Sequence, residues 1–376
     1  MNPSLWTTLA SLLGVGLPIG PTEAVSSAVM KSKLGTVEWD VTCRAEEETC
    51  TKVNHALELM SSAMENALAL KPIRIQLGFE NTCNSWFLCS TGKLSTCKAS
   101  TLIHSREGKQ SFIYPPALYK QKHHDQQVFP DYDMFIKINA QHRYYFPSDY
   151  PSTQEACQYD FMYILTHQVL YGLGISSSYF NLIPSFYKPA RYQSKYNLWF
   201  TKFDKLIKIP PKDIGLIDYS RDSANQEAMP QNNVSSHRHP DYTPFTSLAQ
   251  LSKHGIYFKT STNRRISLKP SLPDAKLSPT HILPSMYENT RDESLVTEIQ
   301  PAVAIHDLFS SQEQWITSPF GPVTLDILAT LGYTINPTPQ YNNSMESYYL
   351  KDVTFPLNRD KAPRFTFSIA KYFCWL

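Results

Sequence analysis

Three residues within one turn of a prospective helix hold the side chains best placed to do chemistry: His167, Gln168 and Tyr171, in the run His167-Gln168-Val169-Leu170-Tyr171-Gly172-Leu173-Gly174. Residues at i and i+4 of a helix share a face one turn apart. Two imidazoles at that spacing can bind one zinc ion. A glutamate beside the first can then take a proton from metal-bound water, as in the H-E-x-x-H pattern. Here the second imidazole position is Tyr171 and the glutamate position is Gln168. A glutamine amide is not basic, so the general base is missing, at a cost of about 10²–10⁴ in rate. A phenol of pKa ~10 is a poor zinc ligand. The blander account is a buried amphipathic helix, with Phe161, Ile164, Leu165, Val169 and Leu170 on a broad apolar surface and His167 as a hydrogen-bonded core residue.

Positioning these residues requires a helix, assigned to residues 154–175, and a scaffold around it. Residues 51–70 carry Val53, Leu57, Met60, Met64 and Leu68 at helical spacing, and Pro72 stops that helix. Ile73 to Phe79 alternate as a strand. A cysteine-bearing loop over 81–99 follows, then a strand over 110–119 interrupted by Pro115-Pro116. Phe135 to Ile138 form another strand, and Tyr144-Tyr145-Phe146 an aromatic run. Helical tendency recurs at 193–208, 244–254 and 298–309, with a short strand at 256–258. Pro322 opens a final helix that Gly332 closes. Polar segments holding His123-His124-Asp125 and His237-Arg238-His239 read as solvated loops. So does the basic, Pro- and Ser-rich stretch 259–281 with Arg264, Arg265 and Lys269, for which an anionic-polysaccharide patch is the sharper alternative.

The order of these segments resembles that of fungal secreted proteins related to zinc metallopeptidases, whose motif is H-E-x-x-H-G-L-G-F. The run from Asp160-Phe161 to Gly172-Leu173-Gly174-Ile175 carries the resemblance. Residues 133–140 with Tyr144-Tyr145-Phe146 resemble the family's edge strand and aromatic segment. Pro279-Thr280-His281-Ile282-Leu283 with Tyr287-Glu288-Asn289-Thr290 resembles the stretch holding its third ligand. The resemblance implies an α+β, zincin-like two-lobed fold. A twisted N-terminal sheet lies over the motif helix (lobe 40–176), beside a mainly helical or irregular second lobe (177–336). It makes His167 and His281 the first and third metal positions. Gln168 and Tyr171 replace the base and the second ligand, and Leu295 falls on the methionine beneath the metal. The expectation is a secreted pseudo-metallopeptidase without a resident cofactor, zinc being bound only if the site survives. It keeps a cleft for a peptide or protein. Two alternatives stand beside it. One is an active metal-dependent hydrolase in which His167, His281 and one of Tyr171, Asp160, His142 or His306 hold the metal, with a carboxylate such as Asp160, Glu155 or Asp292 as base. The other is a structural or host-interaction protein.

Composition bounds these readings. The 376 residues carry a net charge of +2, which gives no electrostatic case for a nucleic-acid partner. Proline outnumbers glycine 27 to 13, and Tyr 22 with Phe 19 mark an aromatic-rich globular chain, not a disordered one. Residues 1–24 read as a secretory signal with an apolar stretch too short to span a membrane. Cleavage fits after Ala24 or after Ala28. The expected domain is 25–336, followed by a tail, 337–376, with possible strands at 353–357 and 364–370. In an oxidising compartment the seven cysteines allow at most three disulfides. Cys43 with Cys50, and Cys83 with Cys89 or Cys97, are the local candidates. Asn233 and Asn342 lie in glycosylation sequons.

Overall fold

The computed structural model describes residues 24–81, 94–108, 110–123, 129–149, 154–155, 157–177, 179–183, 186–189, 200–210, 213–218, 256–268 and 320–337. His281, His306, Asp292, Leu295, Cys83, Cys89, Asn233 and Asn342 lie outside them, as do the two histidine loop motifs apart from His123, the stretches 244–254 and 298–309, and nearly all of the tail.

The chain is mixed α+β, with several sheets and few helices. Strand β1 (Ala24–Lys31) turns into β2 (Val37–Ala45), helix α1 (Glu47–Ala67) crosses over, and β3 (Ile73–Glu80) returns beside β2. After β4 (Ser95–Ala99) come β5 (Ile103–Glu107), β6 (Gln110–Tyr114) and helix α2 (Pro116–Lys122). Then follow β7 (Met134–Asn139), the short β8 (Tyr144–Tyr145) and β9 (Tyr159–Asp160), the motif helix α3 (Phe161–Gly172), and the antiparallel pair β10 (Tyr179–Ile183) and β11 (Phe186–Pro189). The main sheet has the order β1-β2-β3-β7-β4. Its three central strands are parallel, and an antiparallel strand closes each edge.

Alternation decides which face is covered. Trp39, Val41, Ile75, Leu77, Phe79, Met134, Ile136 and Ile138 are buried on one face, where α1 and α3 pack. The other face carries Glu38, Arg74, Lys137 and Glu80, which pair across strands. Trp39 Nε1 donates to Ser61 Oγ at 2.7 Å, so the largest core side chain is also polar-satisfied from α1.

Several expectations shift. The motif helix begins at Phe161, not 154, because Asp160 caps it by accepting from the Tyr163 N–H at 2.8 Å. Such a cap contributes about 1 kcal/mol. Residues 133–140 are not an edge strand: β7 lies inside the sheet, and the edge is β4, within the span read as a cysteine-bearing loop. Residues 116–122 are helical, because Pro116 at the first turn suits its fixed φ and removes no needed donor. The stretch 193–208 holds no long helix among the described residues. It contains β12 (Phe200–Thr201), the five-residue α4 (Lys202–Leu206) opened by a Thr201/Asp204 capping box, and β13 (Ile207–Ile209). Strand β13 lies between β14 (Ile214–Gly215) and β15 (Ile256–Lys259). The basic stretch read as loop includes β16 (Arg265–Leu268), where Arg265 pairs with Asp213 at 3.2 Å and stacks over Tyr257. Of the two cleavage positions, Ala28 falls in the middle of β1.

The last helix among the described residues, α5 (Pro322–Leu331), ends where Gly332 adopts φ 125°. Beyond it, Tyr333 Oη donates to Leu173 C=O at 2.8 Å and the Asn336 N–H to Ala67 C=O at 2.9 Å. One segment thus satisfies the C-terminal carbonyls of both α1 and α3. Cys43 and Cys50 form the expected disulfide, tying β2 to the first turn of α1. Closing so short a loop contributes about 2–3 kcal/mol by chain entropy. Cys97 is a free thiol rather than a partner of Cys83, and Cys157 is disulfide-bonded although its spacing gave no local signal.

Glu65 holds the β1–β2 turn onto α1. It accepts from the Ser32 hydroxyl, from Thr36 Oγ1 at 2.6 Å, and from the Leu34 and Thr36 N–H groups. Burial opposes its ionisation, but these donors outweigh burial and hold the carboxyl below its ordinary range. A depressed folded pKa contributes stability that is full above the unfolded value and is lost as pH falls through the folded one. Urea unfolding between pH 7 and about pH 3 is therefore expected to show a steep acid loss of stability that Glu65→Gln flattens; superimposable pH profiles would contradict this.

Candidate functional site

The site is built where α3 crosses the sheet. Helix α3 packs on β4 and β7, and its last turn comes close enough to exclude a side chain at Gly172. A Cβ there would sit 2.1 Å from Met134 Sδ, at the start of β7. Glycine in this motif therefore serves helix-to-strand packing.

His167 and Gln168 are almost fully buried, and Tyr171 is half-buried. The His167 and Tyr171 rings meet edge to face with centroids 5.0 Å apart, the arrangement the i, i+4 spacing predicts. Gln168 turns onto the edge strand: its Nε2 donates to Ser95 Oγ at 2.9 Å. Further along β4, Cys97 meets the Gly172 backbone. Burial pushes its thiol up to about 12, with a backbone hydrogen bond from Gly172 opposing, so the sulfur stays protonated and weakly nucleophilic.

The outer edge of β4 follows from its hydrogen bonding. The Asn139 N–H donates to Leu94 C=O, and the Ser100 N–H to Asp133 C=O. Antiparallel alternation then turns the backbone of Thr96 and Lys98 toward β7 and that of Ser95, Cys97 and Ala99 outward. Among the described residues no strand pairs with that outer edge.

The donor set on α3 does not fit a catalytic zinc. It offers one imidazole, one phenol and an amide already engaged by Ser95. Two of the alternative ligands lie elsewhere. Asp160 is spent as the helix cap and stands about 10 Å from His167 along the axis at 1.5 Å per residue. His142 packs its ring on Tyr159, beyond that cap. Among the described residues no three His, Cys, Asp or Glu side chains converge as a metal cluster.

His142 and Glu155 instead line a hollow of about 940 Å³ at the C-terminal ends of β2, β3 and β7. The Cys43–Cys50 loop forms one wall, contributing Arg44 and Thr49. Lys52 bridges Glu48 at 2.9 Å and Asp149 at 3.0 Å, and these carboxylates, Glu48 foremost, raise its pKa. Arg143 pairs with Glu155 at 2.6 Å. Sequence reading missed this hollow because its lining comes from four separate segments. The signal that could have found it is the parallel βαβ crossover, which opens a crevice at strand C-termini.

A family model described as SPBPB7E8-like matches residues 21–222, more than half of the chain, and the chain belongs to that family. The match takes in the whole main sheet and α3. No curated protein matches the chain, and no solved structure does. Among the described residues no helix is long and apolar enough to cross a membrane.

The close approach at Gly172 makes a quantitative prediction. Gly172→Ala should destabilise the protein by about 1–3 kcal/mol through overpacking against Met134. In a Met134→Ala background, which empties the space the new methyl needs, the same change should cost markedly less by thermal denaturation. Equal costs in the two backgrounds would place the constraint elsewhere.

Proposed function

We propose that the protein is a secreted, metal-free relative of zinc metallopeptidases that binds an extended peptide along β4 without hydrolysing it. The observation that carries this reading is the pair of replacements on one helical turn, Gln168 and Tyr171, beside an antiparallel edge strand. In place of a general base stands a hydrogen-bond donor to Ser95, and in place of the second imidazole a phenol set edge to face against the first. What those changes leave is a strand edge. A peptide laid on it pairs with the outward backbone groups of Ser95, Cys97 and Ala99, so affinity comes from the main chain and selectivity from neighbouring side chains. The zincin-like lobe belongs to the same proposal. It is supported by the motif helix lying along an antiparallel edge strand, and by the Asp160 cap and Gly172 contact occurring inside the motif segment. Export fits the Cys43–Cys50 disulfide.

A second reading, an interaction protein whose ligand fills the hollow at the strand ends, is favoured by the hollow's position and its mixed charged lining.

Selection of peptides from a random display library, with chelator present throughout, separates the two. The β4 reading predicts recovered peptides whose binding is abolished by Ala99→Pro, since proline removes an outward donor while remaining tolerated on an edge strand. Arg143→Glu should leave that binding intact. The opposite pattern assigns the ligand to the hollow, and peptides insensitive to both changes, or none recovered, would overturn the proposal.

A further inference from the structure

Away from α3, three lysines converge on one carboxylate. Glu107, at the end of β5, receives Lys202 Nζ at 2.8 and 2.6 Å on its two oxygens, Lys205 Nζ at 3.0 Å and Lys122 Nζ at 3.7 Å. The Tyr114 hydroxyl donates to the same carboxylate. Within the ion pairs of the described residues, Glu107 is the carboxylate partner of all three lysines. The neighbouring Asp204 is turned away, bonded to Thr201 and Ser177. Among the described residues the cluster therefore carries two more positive than negative charges.

The ammoniums are also held in place. Lys202 and Lys205 lie over the Phe112 ring at 5.8 and 4.9 Å, and Lys122 over the Tyr114 ring at 5.7 Å. The Lys122 stem passes over Gly332 so closely that a Cβ there would meet its Cε at 2.4 Å. Four segments, β5, the end of α2, α4 and the Gly332 turn, are drawn together around like charges. Burial lowers the Lys202 pKa to about 8; its Glu107 bond opposes that shift and the Lys122 and Lys205 charges add to it. Each ammonium has three donors. Glu107 takes two from Lys202 and one from Lys205. Donors remain, and Lys205 and Lys122 are only half-buried, at 38% and 22% side-chain exposure.

We propose that Lys122, Lys202 and Lys205 form an oxyanion site for a phosphate group, inorganic or monoester, with Glu107 as the fixed counter-ion that spaces the three ammoniums. A phosphate brings close to two negative charges and several strong acceptors, which matches the local excess. No local pattern signals it, because Lys202 and Lys205 lie 80 residues and more from Lys122 along the chain and the three become one patch only when β6 and β12 pair. The basic stretch that the sequence does advertise is partly neutralised by Asp213.

Calorimetric titration of the full chain at low ionic strength tests this, with inorganic phosphate in one arm and glycerol 2-phosphate in the other. Saturable binding in either arm, weakened by added sodium chloride, is the expected result; the tighter arm identifies the source. Lys122→Ala with Lys205→Ala should weaken it roughly tenfold or more, the scale of losing charge-assisted bonds. Lys205→Gln, at the most exposed of the three, should weaken it with an unchanged melting profile, which separates lost binding from lost folding. No saturable binding below roughly 10 mM, or equal affinity in the variants, would overturn the proposal.

Discussion

The structure depends on how closely α3 can approach the sheet. Its last turn rests on Met134 where Gly172 leaves no side chain in the way, and its flank runs along β4, with Gln168 on Ser95 and Cys97 against Gly172. Interiors are packed tightly enough that one extra carbon at such a contact must displace something. The same closeness that seals the core also brings His167, Gln168 and Tyr171 beside a strand edge. Packing and the candidate site are therefore one arrangement, and the fate of the motif residues is set by what β4 offers them.

Around that contact, satisfaction of polar groups fixes the register of everything else. Asp160 supplies the start of α3, while Tyr333 and Asn336 reach back to the ends of α3 and α1. Glu65 ties the β1–β2 turn to α1, and the Cys43–Cys50 bridge ties β2 to the start of the same helix. Each of the hydrogen-bonded links satisfies a helix end or a turn that would otherwise depend on water, and the disulfide adds a covalent tie. The hollow at the strand ends is a by-product of this frame: parallel strands joined by a crossover leave a crevice beyond their carboxyl ends, and here the disulfide loop walls it.

Much of this was legible in the chain. The alternation in Ile73–Phe79, the helical spacing from Val53 to Leu68 and the Pro322–Gly332 helix all appear where local periodicity put them, because each reports a single local period. The His167–Tyr171 contact was legible for the same reason. The edge strand was not: Ser95–Ala99 is polar and short, with no apolar alternation to mark it, and only its pairing with β7 makes it a strand. Nor were the lysine cluster and the hollow, whose residues meet through sheet pairing and crossovers. Two readings failed for local reasons. Apolar spacing over 193–208 suggests a helix where β-branched Thr201 and Ile207 flank a five-residue one, and sequence proximity offers Cys83 to Cys97, whose sulfur instead meets Gly172 of α3. The SPBPB7E8-like match adds family membership across the main sheet and α3 without assigning chemistry to either.

We propose, centrally, that the His167 helix holds no metal, because Gln168 is engaged by Ser95 and Tyr171 stands where a second imidazole would be needed. Elemental analysis of the purified protein, dialysed against a weak chelator, tests it most directly. The account predicts less than about a tenth of an equivalent of zinc, the order expected when one strong donor remains on the helix. Zinc near one equivalent, released by His167→Ala, would contradict it.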